Sequence, residues 1–117
     1  ASIVLFSTVA TKLGMPFHAS VATAKSAVEG LTKSVAADLA PKIRVNAIAP
    51  TITDTDLAAK FLRNERMVES TIQRHPLKKY LQPTEVAAMA NYLLSDVSKS
   101  ISGQIFNLDC GIVSLKL

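Results

Sequence analysis

The stretch SVATAKSAVEGLTKSVAADLAPKIRVNAIAP, residues 20–50, decides the architecture. Ser20 is a good N-cap, and from Val21 to about Ala40 the residues Ala24, Ala27, Val28, Leu31, Val35 and Leu39 recur at helical spacing until Pro41 ends the run. After the short Pro41-Lys42 turn, Ile43 to Ala49 is apolar except for Arg44 and Asn46 and reads as a buried strand closed by Pro50. A long helix with small residues on one face, leading straight into a buried strand, is half of a βαβ crossover.

Working outward, Ser2 to Phe6 is short, apolar and β-branched, and ends in Ser7-Thr8, as a buried parallel strand entering a loop does. Residues 9–19 hold Gly14 and Pro16 and form the loop before the helix. Downstream, residues 54–74 set Leu57, Phe61, Leu62, Met67, Val68 and Ile72 among charges, which predicts one or two amphipathic surface helices able to act as a flap. Pro83 to about Ser95 carries Glu85 in its first turn and an apolar stripe of Val86, Met89, Ala90, Leu93 and Leu94, which predicts a further helix. Gly103 opens a third strand, Gln104 to Leu108, closed by Asp109 and Gly111. The order β, α, β, α, α, β, with no repeat and no internal linker, predicts an α/β layered sheet of three parallel strands with flanking helices.

The 117 residues suffice for one core and not for two ordinary domains. At 49% hydrophobic and 19% charged the chain is globular, and no run of apolar residues is long enough to span a membrane. The net charge of +4 is spread over scattered Lys and Arg, with Lys78-Lys79 the longest cluster, so a nucleic-acid groove is not expected. A single cysteine, Cys110, excludes an intramolecular disulfide, and two histidines, His18 and His75, give no metal constellation. His75, beside Pro76, reads as a loop residue. A cytoplasmic setting is the expectation. The start at Ala1, inside an apolar run and without Met, suggests a segment upstream.

Several of these segments resemble one family together. Residues 2–8 (SIVLFST) look like the fifth strand of a short-chain dehydrogenase/reductase, residues 25–40 (KSAVEGLTKSVAADLA) like its active-site helix, and residues 43–50 (IRVNAIAP) like its sixth strand. Residues 82–87 (QPTEVA) and 102–111 (SGQIFNLDCG) are similar to its late helix start and final strand. The resemblance implies the C-terminal half of a doubly wound Rossmann-like domain binding NAD or NADP, since family members run to about twice this length and grip the pyrophosphate in their first half. The four glycines, at 14, 30, 103 and 111, are too far apart for G-x-G-x-x-G. Tight cofactor binding by this chain alone is therefore not expected.

In the family a hydride passes between nicotinamide and a carbonyl or alcohol carbon while a tyrosine hydroxyl moves the proton, and a lysine four residues on lowers the tyrosine pKa and holds the ribose. The resemblance places Lys25 at the lysine position, Val21 at the tyrosine position and Thr8, with Ser7 as the neighbouring alternative, at the substrate-orienting serine. An isopropyl group carries no transferable proton, so ordinary tyrosine catalysis is excluded at Val21. His18 is the candidate substitute acid/base, although Ser20 as N-cap would leave it in the preceding loop. Pro50, Thr53 and Thr55 fall where the family holds the nicotinamide carboxamide, with Thr51 replacing the usual glycine; capping by Thr53, Asp54 or Thr55 is the competing role. Asn46 is expected to satisfy sheet backbone and Asp109 to close a strand. The resemblance further implies a small-molecule carbonyl or alcohol substrate and a homo-oligomer, dimer or tetramer; a catalytically impaired nucleotide-binding or subunit-partner protein is the alternative.

Overall fold

The computed structural model describes all 117 residues. Three strands, β1 (Ser2–Phe6), β2 (Arg44–Pro50) and β3 (Ile105–Leu108), pair in parallel in the order β1-β2-β3. Ser2 faces Arg44 and Phe6 faces Ile48 across the first pair; Ala47 faces Ile105 and Pro50 faces Leu108 across the second. The central strand is the apolar one, and Val45 through Ala49 are buried. Its single polar core residue is satisfied on both sides: Asn46 Nδ2 donates to the Ile101 carbonyl at 3.1 Å and Oδ1 accepts from the Gln104 amide at 3.0 Å. The expected α/β sheet of three parallel strands with flanking helices is what the chain forms.

Three helices flank the sheet: α1 (Ala19–Leu39), α2 (Glu65–Arg74) and α3 (Pro83–Leu94). α1 packs on β2 through a face whose buried members are Thr32 and Ala36, small enough to let helix and sheet approach closely. α3 packs against β1 and β2, anchored by the fully buried Leu93. Arg44, at the start of β2, ties this layer down: its guanidinium donates to the carbonyls of Leu93, Ser95, Ser98 and Ile101 and to Ser98 Oγ, at 2.9–3.2 Å.

Several boundaries and caps depart from the sequence expectations. Helix α1 begins at Ala19, so Ser20 is not its N-cap; His18 stands there and makes no side-chain capping bond. Strand β2 runs from Arg44 through Pro50, and β3 starts at Ile105 rather than Gln104. The 54–74 segment divides into a six-residue 3-10 turn, Asp56–Phe61, and α2. Thr55 caps the first by accepting from the Ala58 amide at 3.3 Å, and Asn64 caps the second by accepting from the Met67 amide at 3.0 Å. Loop 9–19 likewise holds one 3-10 turn, Val9–Thr11, capped by Thr8. Asp109 closes β3 by accepting from the Gly111 and Val113 amides.

Candidate active site

Parallel pairing brings the carboxyl ends of β1 and β2 to the same edge of the sheet, where open α/β folds form their crevices. A cleft of about 650 Å³ lies there. Its floor comes from the residues that follow the strands: Ser7, Thr8 and Val9 after β1, and Pro50 through Thr53 around the end of β2. The loop before α1 supplies Leu13, Met15 and His18; the 54–74 segment supplies Thr55, Leu57, Phe61 and Arg74.

Thr8, His18, Pro50, Thr53 and Thr55 thus line one cleft, while Lys25 and Val21 do not line it. The Lys25 ammonium donates to the Phe6 carbonyl at 3.1 Å instead. Val21 lies one turn earlier on α1, 46% exposed.

Local bonding separates the hydroxyls. Ser7 is buried and committed, its Oγ donating to the Glu29 carboxylate on α1. Thr8 Oγ1 accepts from the Ala10 amide at 3.3 Å, and its own proton has no acceptor in the chain. Of the pair, Thr8 is the one free to donate to a ligand oxygen. Thr53 Oγ1 donates to the Thr51 carbonyl at 3.0 Å and Thr55 Oγ1 to the Thr53 carbonyl at 3.4 Å, so both hydroxyls are engaged locally. The Ile52 and Thr53 amides make no backbone hydrogen bond. They are the free donors of this segment, suited to a carboxamide oxygen.

His18 Nδ1 lies 2.8 Å from the Pro16 carbonyl, which can only accept, so Nδ1 carries the proton and Nε2 is left without a partner in the chain. The second histidine is the larger surprise. His75 lies in the bend that follows α2, as expected of a loop residue, but it is buried: it is 2% exposed, with Nδ1 2.7 Å from the Thr71 carbonyl and Nε2 2.7 Å from Thr51 Oγ1. Thr51, standing where the family's glycine was expected, avoids left-handed backbone and turns its hydroxyl inward onto that ring.

Glu29 is a second group the sequence did not single out. It receives Ser7 Oγ, Lys12 Nζ and, at 2.6 Å, Thr11 Oγ1, bracketing Thr8 from both sides. Burial pushes its carboxyl pKa up, but the bonds from Lys12, Ser7 and Thr11 and the Lys12 charge outweigh this and hold it below the ordinary carboxylate value. Cys110 is buried, and desolvation raises its thiol pKa, which argues against a nucleophilic role. No group of three or more His, Cys, Asp or Glu is placed to hold a metal.

The family model described as enoyl-(acyl carrier protein) reductase matches residues 1–113. The chain belongs to the short-chain dehydrogenase/reductase family. It is 38% identical over 113 residues to a 3-oxoacyl-(acyl-carrier-protein) reductase of Thermotoga maritima, a match covering 96% of this chain and 45% of that protein. Carbonyl reductase (NADPH) 2 of Sus scrofa is 33% identical over 114 residues, covering 97% of this chain and 47% of that one. A gluconate 5-dehydrogenase of Burkholderia cenocepacia, solved with NADP and tartrate, superposes with a TM-score of 0.92 at 29% identity, covering 99% and 46% of the two chains. The chain therefore spans about half the length of the curated relatives it matches.

Among the parts a nicotinamide cofactor needs, this family member has the unpaired Ile52 and Thr53 amides beside Pro50, which fit the carboxamide end. It has no closely spaced glycines for a pyrophosphate, and the Lys25 ammonium spends one of its three donors on the Phe6 carbonyl, leaving two for a ribose.

Proposed function

We propose that this chain is the C-terminal half of a single Rossmann-like domain of an NAD(P)-dependent oxidoreductase that acts on a carbonyl or alcohol carbon through an altered proton-transfer site. The observation that carries this is the shared cleft at the strand ends, where the free Thr8 hydroxyl, His18 and the unpaired Ile52 and Thr53 amides meet. The surface supports the half-domain reading. Only 17 of 117 residues are buried, and the radius of gyration of 15.1 Å exceeds the ~13 Å of a compact domain this long. The same reading carries a homo-oligomer in the cytoplasm. No helix is long and apolar enough to cross a membrane.

The bound nicotinamide would supply the hydride. Thr8 donates its free hydroxyl proton to the substrate oxygen and orients it, while Glu29 holds the turn on which Thr8 sits. His18 offers Nε2 as the group that exchanges a proton with that oxygen, in place of the tyrosine missing at position 21. Ile52 and Thr53 hold the carboxamide through their amides, against Pro50.

A second reading, a nucleotide-binding or subunit-partner protein without catalysis, is favoured by Val21 alone. Carbonyl reduction by the full-length protein, followed with NADH and NADPH, tests the two. Under the first, Val21→Tyr raises turnover about 100-fold or more and His18→Ala abolishes the wild-type rate. Cofactor binding with no turnover in wild type or in Val21→Tyr would overturn it in favour of the second.

A further inference from the structure

The cleft has one fixed positive charge and no negative one. Arg74 is its only Lys, Arg, Asp or Glu, set among Leu13, Met15, Ile52, Leu57 and Phe61. The same side chain also lines an adjoining cavity of about 280 Å³ with Arg66, again without any Asp or Glu. Arg74 makes no ion pair: the two salt bridges of the chain are Lys12–Glu29 and Lys79–Glu85. Of its five N–H donors, one is used by a side chain, Nη2 donating to Thr71 Oγ1 at 3.3 Å. Arg44, by contrast, spends its guanidinium on five protein acceptors.

An exposed guanidinium at a cleft wall, steered by one hydroxyl bond and otherwise unpaired, is suited to a forked, charge-assisted contact with an anion. We infer that the substrate carries a carboxylate or phosphate group and that Arg74 selects it. Arg74 closes α2, so its backbone position is fixed by the helix while its side chain reaches the cleft. Arg74 is exposed at the cleft wall, so the guanidinium is open to an incoming anion without any rearrangement of the chain. The assignment rests on the oxidoreductase reading for what becomes of the substrate, but not for whether it binds.

The test uses the full-length protein with matched probes: pyruvate against methyl pyruvate, and dihydroxyacetone phosphate against dihydroxyacetone. Calorimetry measures binding and nicotinamide oxidation measures kcat/KM. Wild type favours at least one anion over its neutral partner by about 10- to 100-fold, pyruvate marking carboxylate and the phosphate ester marking phosphate. Arg74→Gln removes that preference, so that anion and neutral probe bind the variant alike. Arg74→Lys keeps the charge at the helix end but not the fork, and retains only part of the preference. Equal binding of anion and neutral probe in wild type, or a preference that survives Arg74→Gln, overturns the inference. Reduction of neutral probes without anion preference would leave the oxidoreductase standing and remove Arg74 from recognition. Arg74-dependent anion binding without turnover would do the reverse.

Discussion

Replacing Glu29 tests whether the turn carrying Thr8 is held from α1. The carboxylate takes hydroxyl protons from Ser7 and Thr11 and an ammonium proton from Lys12. Hydrogen bonds to a charged group are worth about 1.5–3 kcal/mol each. The Lys12 side chain is 35% exposed, so its ion pair with Glu29 adds only about 0–1 kcal/mol. The Glu29 side chain keeps 14% of its exposure, which places the two hydroxyl bonds toward the lower end. Glu29→Ala also leaves buried Ser7 with only a 3.4 Å contact to the Lys25 carbonyl. A loss of about 2–4 kcal/mol follows, and about half that for Glu29→Gln, which can still accept on one oxygen. Urea unfolding of the protein at neutral pH measures it. The pH dependence supplies an independent arm. Because the folded-state pKa of Glu29 lies below its ordinary value, its contribution is fully present above the ordinary carboxylate range and is lost as pH falls through the folded value. The stability gap between wild type and Glu29→Gln is therefore flat at neutral pH and narrows in acid. A loss under about 0.5 kcal/mol for Glu29→Ala, or a gap that does not narrow, would refute the clamp.

Two further perturbations probe the packing beneath the cleft. Arg44→Ala removes five hydrogen bonds at the junction of β2 with the end of α3, and because each of the four carbonyls keeps a second donor, unfolding in urea should register a loss of about 2–3 kcal/mol. Thr51→Gly, which restores the residue the resemblance led one to expect, removes the partner of a buried histidine nitrogen and should cost about 1–3 kcal/mol by the same measurement.

How much of this could be read in advance differs by element. The helix-to-strand stretch at 20–50 announced itself because a small-residue helical period and an apolar run are local patterns, and Pro41 punctuates them. The start of α1 differs from the Ser20 cap that the sequence suggests because a good capping side chain is only a local preference: here the chain turns at Pro16 and His18, and the helix begins one residue before that serine. That Thr8, Pro50, Thr53 and Thr55 line one cleft follows the family pattern and His18 follows from its spacing to Val21, whereas the pattern also put Lys25 there, which does not line it, and gave no sign of which hydroxyls are free. That depends on where Glu29 and the Ala10 amide fall in space. His75 and Arg74 were hidden for a related reason. Each sits in or just past the last turn of α2, in a run of charges that reads as solvated surface, and only the fold of 54–74 over the strand ends buries His75 and brings the exposed Arg74 to the cleft. An apolar residue at Ile72 and a proline at Pro76 were the available hints that this helix end meets the core.

The two departures from the family pattern then differ in kind. At Thr51 the added hydroxyl is matched by His75, whose other nitrogen is matched by the Thr71 carbonyl, and no buried side-chain polar atom lacks a partner. Such a chain of bonds costs little when complete and much when cut, so it fixes the cleft floor under Pro50. At Val21 nothing comparable has been added: the side chain is half exposed, and the only titratable group without a carboxylate partner in the adjoining loop is His18. The threonine at 51 therefore completes the bonding beneath the cleft, whereas the valine at 21 offers no transferable proton and leaves that bonding untouched. Under the proposed function catalysis and binding are separable, and His18→Ala separates them: it should spare the cleft and the proposed Arg74 contact while removing turnover by the full-length protein.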